Sequence, residues 1–335
     1  MKSGIKMKDI AKELGISTVT VSKALADKDG VSEELRERIK QKAMEMGYKI
    51  SSISQAMRTG RQNNIGILIC ERYLEDHSFY WSLYQYILLK LMKKQYFGIL
   101  EILSGTDEKQ LVMPKILMEN KVDAIIAVGQ FKKRYLNKLA EECADKLMFL
   151  DFYDLRLPIS SVAADNYNGG YEITRHLINS GHKDILYVGD IYATTSIMDR
   201  AMGYYKCMLE YECPIREHWY LSDRNDDGLI IEPDFPEKLP TAFVCNSDNT
   251  ANMLYHILTK KGYKIPEDIS IVGFDNFSTG VPADIGITTM EVGREQLAQS
   301  AAELIDSILN KKTNETVRIN LNFKLIEKQS VKKLT

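Results

Sequence analysis

At 335 residues, with 44% hydrophobic and 27% charged residues, the chain is long enough for two or three domains and has a globular composition. No apolar run approaches the roughly 20 residues that a membrane-spanning helix needs, and the lysine-rich N-terminus lacks the apolar stretch of a signal peptide, so we expect a cytoplasmic protein. The five cysteines are scattered without a CxxC pair, so we expect reduced thiols.

The net charge of −2 is unevenly distributed along the chain. Residues 1–61 contain 13 Lys and Arg against 8 Asp and Glu, whereas the remaining residues are net acidic. A basic segment joined to an acidic body predicts a nucleic-acid-binding head followed by a separate module.

Three short helices are predicted in the head. Residues 8–14 place apolar side chains on one helical face, and residues 33–46 follow Ser32 as N-cap. Between them, residues 16–25 (ISTVTVSKAL) are rich in β-branched side chains, which by propensity favour a strand. A lone strand would have no pairing partner in the head, so we predict a helix here as well.

As a helix, this segment takes Ser17 as its N-cap and turns Val21, Ala24 and Leu25 inward. A helix, a tight turn and a second helix form a helix-turn-helix, whose second helix places its N-terminal side chains on base edges in the major groove. The outward face carries Thr18, Val19, Ser22 and Lys23. Their hydroxyls suit phosphates or bases, and their methyl groups suit the thymine methyl. A packing module without a DNA role is the alternative.

Residues 6–66 resemble the DNA-binding head of the LacI/GalR family of bacterial repressors. The resemblance rests on Lys8-Asp-Ile-Ala, Gly15-Ile-Ser, Thr20-Val-Ser, Val31-Ser32, Gly47-Tyr48 and Ile65-Gly66. It implies that Thr18, Val19 and Lys23 read bases, and that Ser17, Thr20, Ser22 and Ser32 contact phosphates. Ala26 departs from the family, in which an asparagine is common at this position.

The same resemblance makes residues 1–48 the head and residues 49–61 a hinge helix that orders on DNA. Met57 takes the place of the leucine that the family wedges into the minor groove, a role that an apolar side chain such as methionine can fill. The family's usual proline and asparagine are replaced by Ile50 and Ser51. A flexible linker with an incidental methionine is the alternative.

From residue 62 onward, short apolar runs alternate with helical stretches, which indicates an α/β body of two parallel sheets flanked by helices. Residues 62–330 resemble the two-lobed, periplasmic-binding-protein-like core of the same family. The resemblance implies one lobe from residues 62–162 and 291–319, and a second from residues 163–290 and 320–335. It rests on the motifs at 176–182, 200–203, 240–248 and 265–275.

Ligands of open parallel sheets bind beyond the carboxyl ends of the strands. Asp275 follows an apolar strand and could accept sugar hydroxyls there, and the resemblance pairs it with Arg200 as an effector contact. It also places Phe79 and Tyr80 at the cleft mouth. Arg72 and Asp248 complete the predicted effector residues: Arg72 could favour an anionic ligand, whereas Asp248 is either a polar contact or a helix N-cap. For Arg200 the alternative is a surface charge, and for the aromatic pair it is core packing.

An enzymatic function is not supported by the sequence, which lacks a recognisable catalytic motif and histidine spacing suited to a metal. We therefore predict no catalytic residues, no metal site and no cofactor. Residues 223–234 match part of a calcium-loop pattern, but the prolines that follow exclude its exiting helix. A free-standing sugar-binding protein is the rival function, although it would carry a signal peptide instead of a basic head.

The sequence thus predicts a homodimeric repressor of carbohydrate-utilisation genes. Two heads related by a two-fold axis would bind a pseudo-palindromic operator in double-stranded DNA. A small-molecule effector, expected to be a carbohydrate, would bind between the lobes and control this binding.

Overall fold

The computed structural model describes residues 5–48, 61–74, 79–225, 228–276, 281–282, 285–312 and 315–334. Its internal contacts divide the chain into two units, Met1–Gln62 and Asn63–Thr335, which we call the head and the body. No helix in these described ranges has the length and apolarity required to span a bilayer.

The head contains the three predicted helices, α1 (Met7–Leu14), α2 (Thr18–Ala24) and α3 (Glu33–Glu45). The β-branched segment is therefore helical, as predicted. Val21 and Ala24 are fully buried with Ile10 and Ile39, and Ser17 caps α2 by accepting a 3.0 Å hydrogen bond from the Thr20 amide. Burial of one apolar face overrides the strand propensity of the segment.

The first sheet of the body is parallel throughout and forms the centre of what we call the first lobe. Its strands are β1 (Asn64–Cys70), β2 (Phe97–Leu103), β3 (Ala124–Val128), β4 (Leu147–Leu150), β5 (Ser160–Ala164) and β11 (Arg318–Leu321), in the order β11-β5-β4-β3-β1-β2. The associated helices are α4 (Phe79–Lys93), α5 (Gly105–Gln110), α6 (Lys115–Met118), α7 (Lys133–Cys143) and α11 (Arg294–Leu309). Buried apolar clusters cover both faces, which explains the nearly continuous apolar character of the central strands.

The second sheet forms the centre of the second lobe. Its strands are β6 (Ile185–Val188), β7 (Tyr220–Leu221), β8 (Ala242–Cys245), β9 (Ser270–Phe274), β10 (Thr288–Glu291) and β12 (Lys324–Ile326), in the order β12-β10-β9-β8-β6-β7. The associated helices are α8 (Asn166–Asn179), α9 (Thr195–Glu210) and α10 (Asp248–Lys260). The edge strand β12 is antiparallel to β10, so this sheet is mixed rather than purely parallel.

Helices α8 and α9 approach each other closely because each contributes a glycine to the contact. A Cβ atom on Gly203 would lie 2.0 Å from the Tyr167 carbonyl oxygen, and one on Gly170 would lie 2.0 Å from the Arg200 carbonyl oxygen. Any side chain at either position would separate the helices. The two glycines thus bring the first turns of α9, including Arg200, against the start of α8.

Four described strands, β5, β7, β11 and β12, lie outside the apolar runs of the sequence, which cover residues 65–70, 98–103, 124–128, 147–150, 185–188, 242–245, 269–272 and 287–290. The sequence of β5 is SSVAA, β7 is two residues long, and β11 and β12 each begin with a charged residue, so none of the four contains a continuous apolar run as long as these. Between β7 and β8, the described residues form an isolated bridge from Arg224 to Ile230 and no helix. This agrees with the expectation that Pro233, Pro236 and Pro240 exclude a helix at this place.

Candidate DNA-reading surface and effector cleft

The outward face of α2 is a shallow polar surface with one prominent apolar side chain. Thr18 and Lys23 are exposed, and Val19 is 66% exposed. These residues line a depression of about 400 Å³ together with Ser22 and three neighbours, Met7, Ala26 and Lys28. The arrangement matches the predicted outward face, and it offers hydroxyl, ammonium and methyl groups to a partner.

The remaining predicted phosphate contacts sit at helix starts. The Ser17 hydroxyl lies 2.8 Å from the Thr20 hydroxyl, and Ser32 caps α3 by accepting a hydrogen bond from the Leu35 amide at 3.4 Å. Buried Arg36 holds the turn before α3, donating a 3.0 Å hydrogen bond to the Lys28 carbonyl. The predicted wedge residue, Met57, lies outside the described residues.

Arg200 and Asp275 are brought together in the second lobe. Arg200 is buried, and its guanidinium donates to the Asn166 side chain at 2.8 Å, to the Asn246 carbonyl at 2.6 Å and to Asp275 at 3.4 Å. The guanidinium also lies 4.5 Å from the ring centroid of Phe274. Arg200 is thus a fixed, buried cation and not a surface charge.

Asp275 follows β9 with a left-handed backbone, at φ +97°. This backbone conformation is costly for residues other than glycine and asparagine, and strained residues of this kind are found most often at functional sites. Burial raises the pKa of the Asp275 carboxyl, while the charge of Arg200 acts in the opposite direction. Because Asp275 directly follows β9 and is hydrogen-bonded to Arg200, both residues lie at the carboxyl end of the second sheet.

A second carboxylate, Asp151, lies at the corresponding end of the first sheet and was not predicted. It follows β4, has φ +69°, and accepts a 2.8 Å hydrogen bond from the Tyr80 hydroxyl. The pKa of Asp151 is raised to about 6, because burial and, to a smaller extent, the negative charge of Asp275 outweigh the lowering effects of the Tyr80 hydrogen bond and the Arg200 charge. Asp151, Arg200 and Asp275 therefore belong to one electrostatic cluster formed by both lobes.

The two predicted aromatic residues lie beside this cluster at the start of α4. Phe79 and Tyr80 pack edge to face, with ring centroids 5.1 Å apart, and Tyr80 also contacts Tyr73 at 4.9 Å. Both are half-buried and pack against the core of the first lobe. Tyr80 therefore combines core packing with a polar contact, whereas Phe79 supports its ring.

Asp248 is buried at the start of α10 and points toward the neighbouring strand. It accepts a 2.8 Å hydrogen bond from the Thr289 hydroxyl. The N-cap of α10 is Ser247, which accepts from the Thr250 amide at 3.2 Å. Of the two roles considered for Asp248, the capping role thus belongs to its neighbour.

Arg72 is bound within the first lobe. It lies in a short 3-10 turn after β1 and donates two hydrogen bonds to Glu108, at 2.7 and 3.2 Å, and one to the Gln130 carbonyl at 2.7 Å. Glu108 is almost completely buried and also accepts from the Lys132 amide. The charge of Arg72 is therefore compensated by a buried carboxylate.

Side chains from the first lobe also contact the beginning of α9 in the second lobe. The Gln130 side-chain oxygen accepts from the Thr195 amide at 2.7 Å and from its hydroxyl at 3.1 Å. The Tyr153 hydroxyl donates to Asp199 at 2.7 Å. These bonds link the lobes around the cluster of Asp151, Arg200 and Asp275.

Asp223, the first carboxylate of the segment that matches part of a calcium-loop pattern, is hydrogen-bonded to other residues of the protein. Asp223 is fully buried and accepts hydrogen bonds from the Asp190 amide, the Asn246 side chain and the Thr250 hydroxyl, at 2.9, 2.5 and 2.6 Å. Within the described part of the chain, no group of three or more His, Cys, Asp or Glu residues could hold a metal ion. All five cysteines are buried free thiols.

Family models and known proteins match both units of the chain. The model described as "Bacterial regulatory proteins, lacI family" matches residues 6–51, and a periplasmic binding protein-like domain matches residues 174–331. The HTH-type transcriptional repressor PurR of Vibrio parahaemolyticus is 25% identical over 333 residues, covering 98% of this chain and 99% of the relative. PurR of Histophilus somni is 26% identical over 341 residues, with 98% and 99% coverage.

Solved structures share the fold over nearly the whole chain. A lac repressor dimer bound to operator and the anti-inducer ONPF has a TM-score of 0.77 at 17% identity, covering 98% of this chain and all of that chain. A CelR–cellobiose complex has a TM-score of 0.70 at 21% identity, with 97% and 99% coverage. All of these proteins are transcriptional regulators. The chain therefore belongs to the LacI family of bacterial regulatory proteins and is a DNA-binding transcriptional repressor.

Proposed function

We propose that this repressor binds a pseudo-palindromic operator as a homodimer and is controlled by an uncharged, hydroxyl-bearing effector, a sugar or sugar derivative, held between the lobes of the body. In this proposal residues 1–48 bind DNA, residues 49–61 form the hinge with Met57 as wedge, and the two lobes divide as the family resemblance implies. The membership of β11 in the first sheet and of β12 in the second supports that division.

The DNA contacts are assigned to the face of α2 and the adjacent helix start. Thr18, Val19 and Lys23 are exposed there without a role in the core, as base-reading side chains must be. The hydroxyls of Ser17, Thr20, Ser22 and Ser32 are assigned to phosphates. Because phosphate contacts supply affinity and base contacts supply specificity, both sets are needed for an operator.

Homodimerisation is supported by an apolar surface on the first lobe. Helix α4 exposes Trp81, Leu89 and Met92, and the edge strand β2 exposes Phe97 and Ile102. Exposed apolar side chains along an unpaired sheet edge favour association with a second chain. A symmetric dimer would present two heads to two half-sites, as in the lac repressor dimer bound to operator.

The opposed carboxylates Asp151 and Asp275 carry the effector part of the proposal. Each ends a parallel strand in its own lobe, each has a left-handed backbone, and their charges interact. Ionised carboxylates accept several strong hydrogen bonds, so a ligand with donor groups on two sides would join the lobes. Structurally similar regulators were solved with cellobiose and with ribose.

Charge balance favours an uncharged ligand over a sugar phosphate or acid. Arg72 is neutralised by Glu108, and Arg200 is shared between Asp275 and the Asn246 carbonyl. With Asp151 nearby, an anionic ligand would add another negative charge beside two buried carboxylates, and the charges of Arg72 and Arg200 are already balanced by carboxylates of the protein. An effector that joins the lobes would alter the contacts of α9 with Gln130 and Tyr153 and thereby the spacing of the heads.

A thermal-shift screen tests the effector, because specific binding raises the melting temperature by mass action. The panel pairs ribose with ribose 5-phosphate and cellobiose with cellobionate, and adds free purine bases. We expect stabilisation by an uncharged sugar, accompanied by a change in operator affinity. A preference for the phosphorylated or acidic member would contradict the charge argument, and binding of a purine base alone would contradict the carbohydrate assignment.

The variant Asp275→Ala should lose the effector response and retain operator binding. Glu142→Ala, which removes an exposed carboxylate on α7, serves as the matched control and should respond normally. If the effector still shifts DNA affinity in Asp275→Ala, the cleft is assigned wrongly. If the unmodified chain binds a sugar but no operator, the result would instead favour a free-standing sugar-binding protein.

A further inference from the structure

One large apolar side chain on the outward face of α2 has no structural role in the head. Val19 is 66% exposed, while Val21, two positions later, is completely buried with Ile10 and Ile39. Valine is also a weaker helix former than alanine or lysine at an exposed position. Neither packing nor helix stability therefore accounts for a valine at this place.

We propose that Val19 contacts the 5-methyl group of a thymine in each operator half-site, so that one base position is specified by a methyl group and not by hydrogen bonds. The proposal rests on sequence-specific DNA binding by the head and goes beyond it by naming the base and the atom that is read.

The position of Val19 gives it access to base edges. It is the second residue of α2, and the N-terminal residues of the second helix are those that contact bases in a helix-turn-helix. Thr18, Ser22 and Lys23 line the same depression of the head, so the apolar side chain lies among two residues assigned to bases, Thr18 and Lys23, and one assigned to a phosphate, Ser22.

The chemistry of the major groove leaves one partner for an isopropyl group. Every base edge there carries hydrogen-bond donors or acceptors, and the thymine 5-methyl is the one apolar group among them. A valine placed over a donor or acceptor would displace water without replacing its hydrogen bond. Valine is also β-branched and stiff at χ1, so it loses little freedom when it packs against a methyl group.

The experiment begins with in vitro selection of preferred sites from a randomised duplex library, using the full-length chain. Each thymine of the selected half-site is then replaced by uracil, symmetrically in both halves, and the dissociation constant is measured. At one position, loss of the methyl should weaken binding about fourfold per half-site, the value of one buried methyl group. At that position, 5-methylcytosine paired with guanine should also bind more tightly than unmethylated cytosine.

Two variants assign the effect to Val19. Val19→Ser should bind the thymine and uracil sites equally, because serine carries no methyl group, whereas Thr18→Ser should keep the preference for thymine. The inference is overturned if no thymine of the selected site responds by more than twofold, or if the response survives in Val19→Ser. A selection that enriches no sequence contradicts specific DNA binding itself, and the methyl contact with it.

Discussion

The Tyr80 hydroxyl donates a 2.8 Å hydrogen bond to Asp151, which ties the start of α4 to the end of β4 within the first lobe. This bond favours the ionised carboxylate, but the burial of Asp151 outweighs it, so that the pKa of Asp151 is raised to about 6. A carboxyl group that titrates near neutrality in the cleft couples the stability of the protein to pH.

Asp151→Asn should remove the pH dependence that the Asp151 carboxyl group contributes to the free energy of unfolding. Between the unfolded pKa near 3.8 and the folded pKa of about 6, the folded state holds a proton that the unfolded state has lost, so the free energy of unfolding falls as pH rises. Relative to Asp151→Asn, the unmodified protein should lose on the order of 2 kcal/mol between pH 4.5 and pH 7.5. Urea unfolding at both pH values measures this, and a difference between the proteins that is independent of pH would refute it.

Arg72 should prove more important for stability than for effector recognition. Arg72→Met leaves Glu108 as an unpaired buried charge and should cost about 3 to 5 kcal/mol of unfolding free energy. Adding Glu108→Gln removes the charge and keeps an acceptor for the Lys132 amide, so the double variant should be more stable than Arg72→Met alone. Chemical denaturation of the unmodified protein, the two single variants and the double variant measures the coupling between Arg72 and Glu108. If the effects of the two substitutions on the free energy of unfolding are additive, the two residues are not coupled and the prediction is wrong.

Gln130 should control how firmly α9 is held against the first lobe. Gln130→Ala removes the acceptor for the Thr195 amide and should accelerate hydrogen exchange in the first turn of α9. Gln130→Glu keeps an acceptor and places a negative charge at a helix N-terminus, so it should slow the same exchange. Mass-spectrometric exchange over residues 191–200 distinguishes them, and identical rates in both variants would mean that this bond does not hold the lobes together.

Lys23 should contribute to specificity at the operator. Lys23→Ala is expected to lose roughly 1 to 3 kcal/mol of binding free energy on the selected site and much less on random DNA. Lys28→Ala, which alters another lysine of the depression, is the comparison and should weaken binding to both DNAs equally if it faces a phosphate. An equal loss on both DNAs in Lys23→Ala would assign this lysine to phosphates as well.

The sequence by itself determined the three helices of the head and the alternating α/β body, whereas Arg200 and Asp275 were predicted to lie together from the resemblance to the LacI/GalR family. Helical periodicity, capping residues and apolar runs are local patterns in the sequence. They predict an element correctly where one face of a helix or both faces of a sheet are buried. Asp151 carried the same local signal as Asp275, because it directly follows the apolar run Leu147–Leu150. That signal could have revealed the second carboxylate.

Tertiary structure alone decided the partners of the other cleft residues. Arg72 meets Glu108 because the turn after β1 lies beside the segment that follows β2, and Gln130 meets Thr195 because two lobes face each other. These pairs are 36 and 65 residues apart in sequence. Strand order and lobe packing place them together, so an arginine whose sequence position suggested an anionic ligand instead has its charge balanced by a buried glutamate.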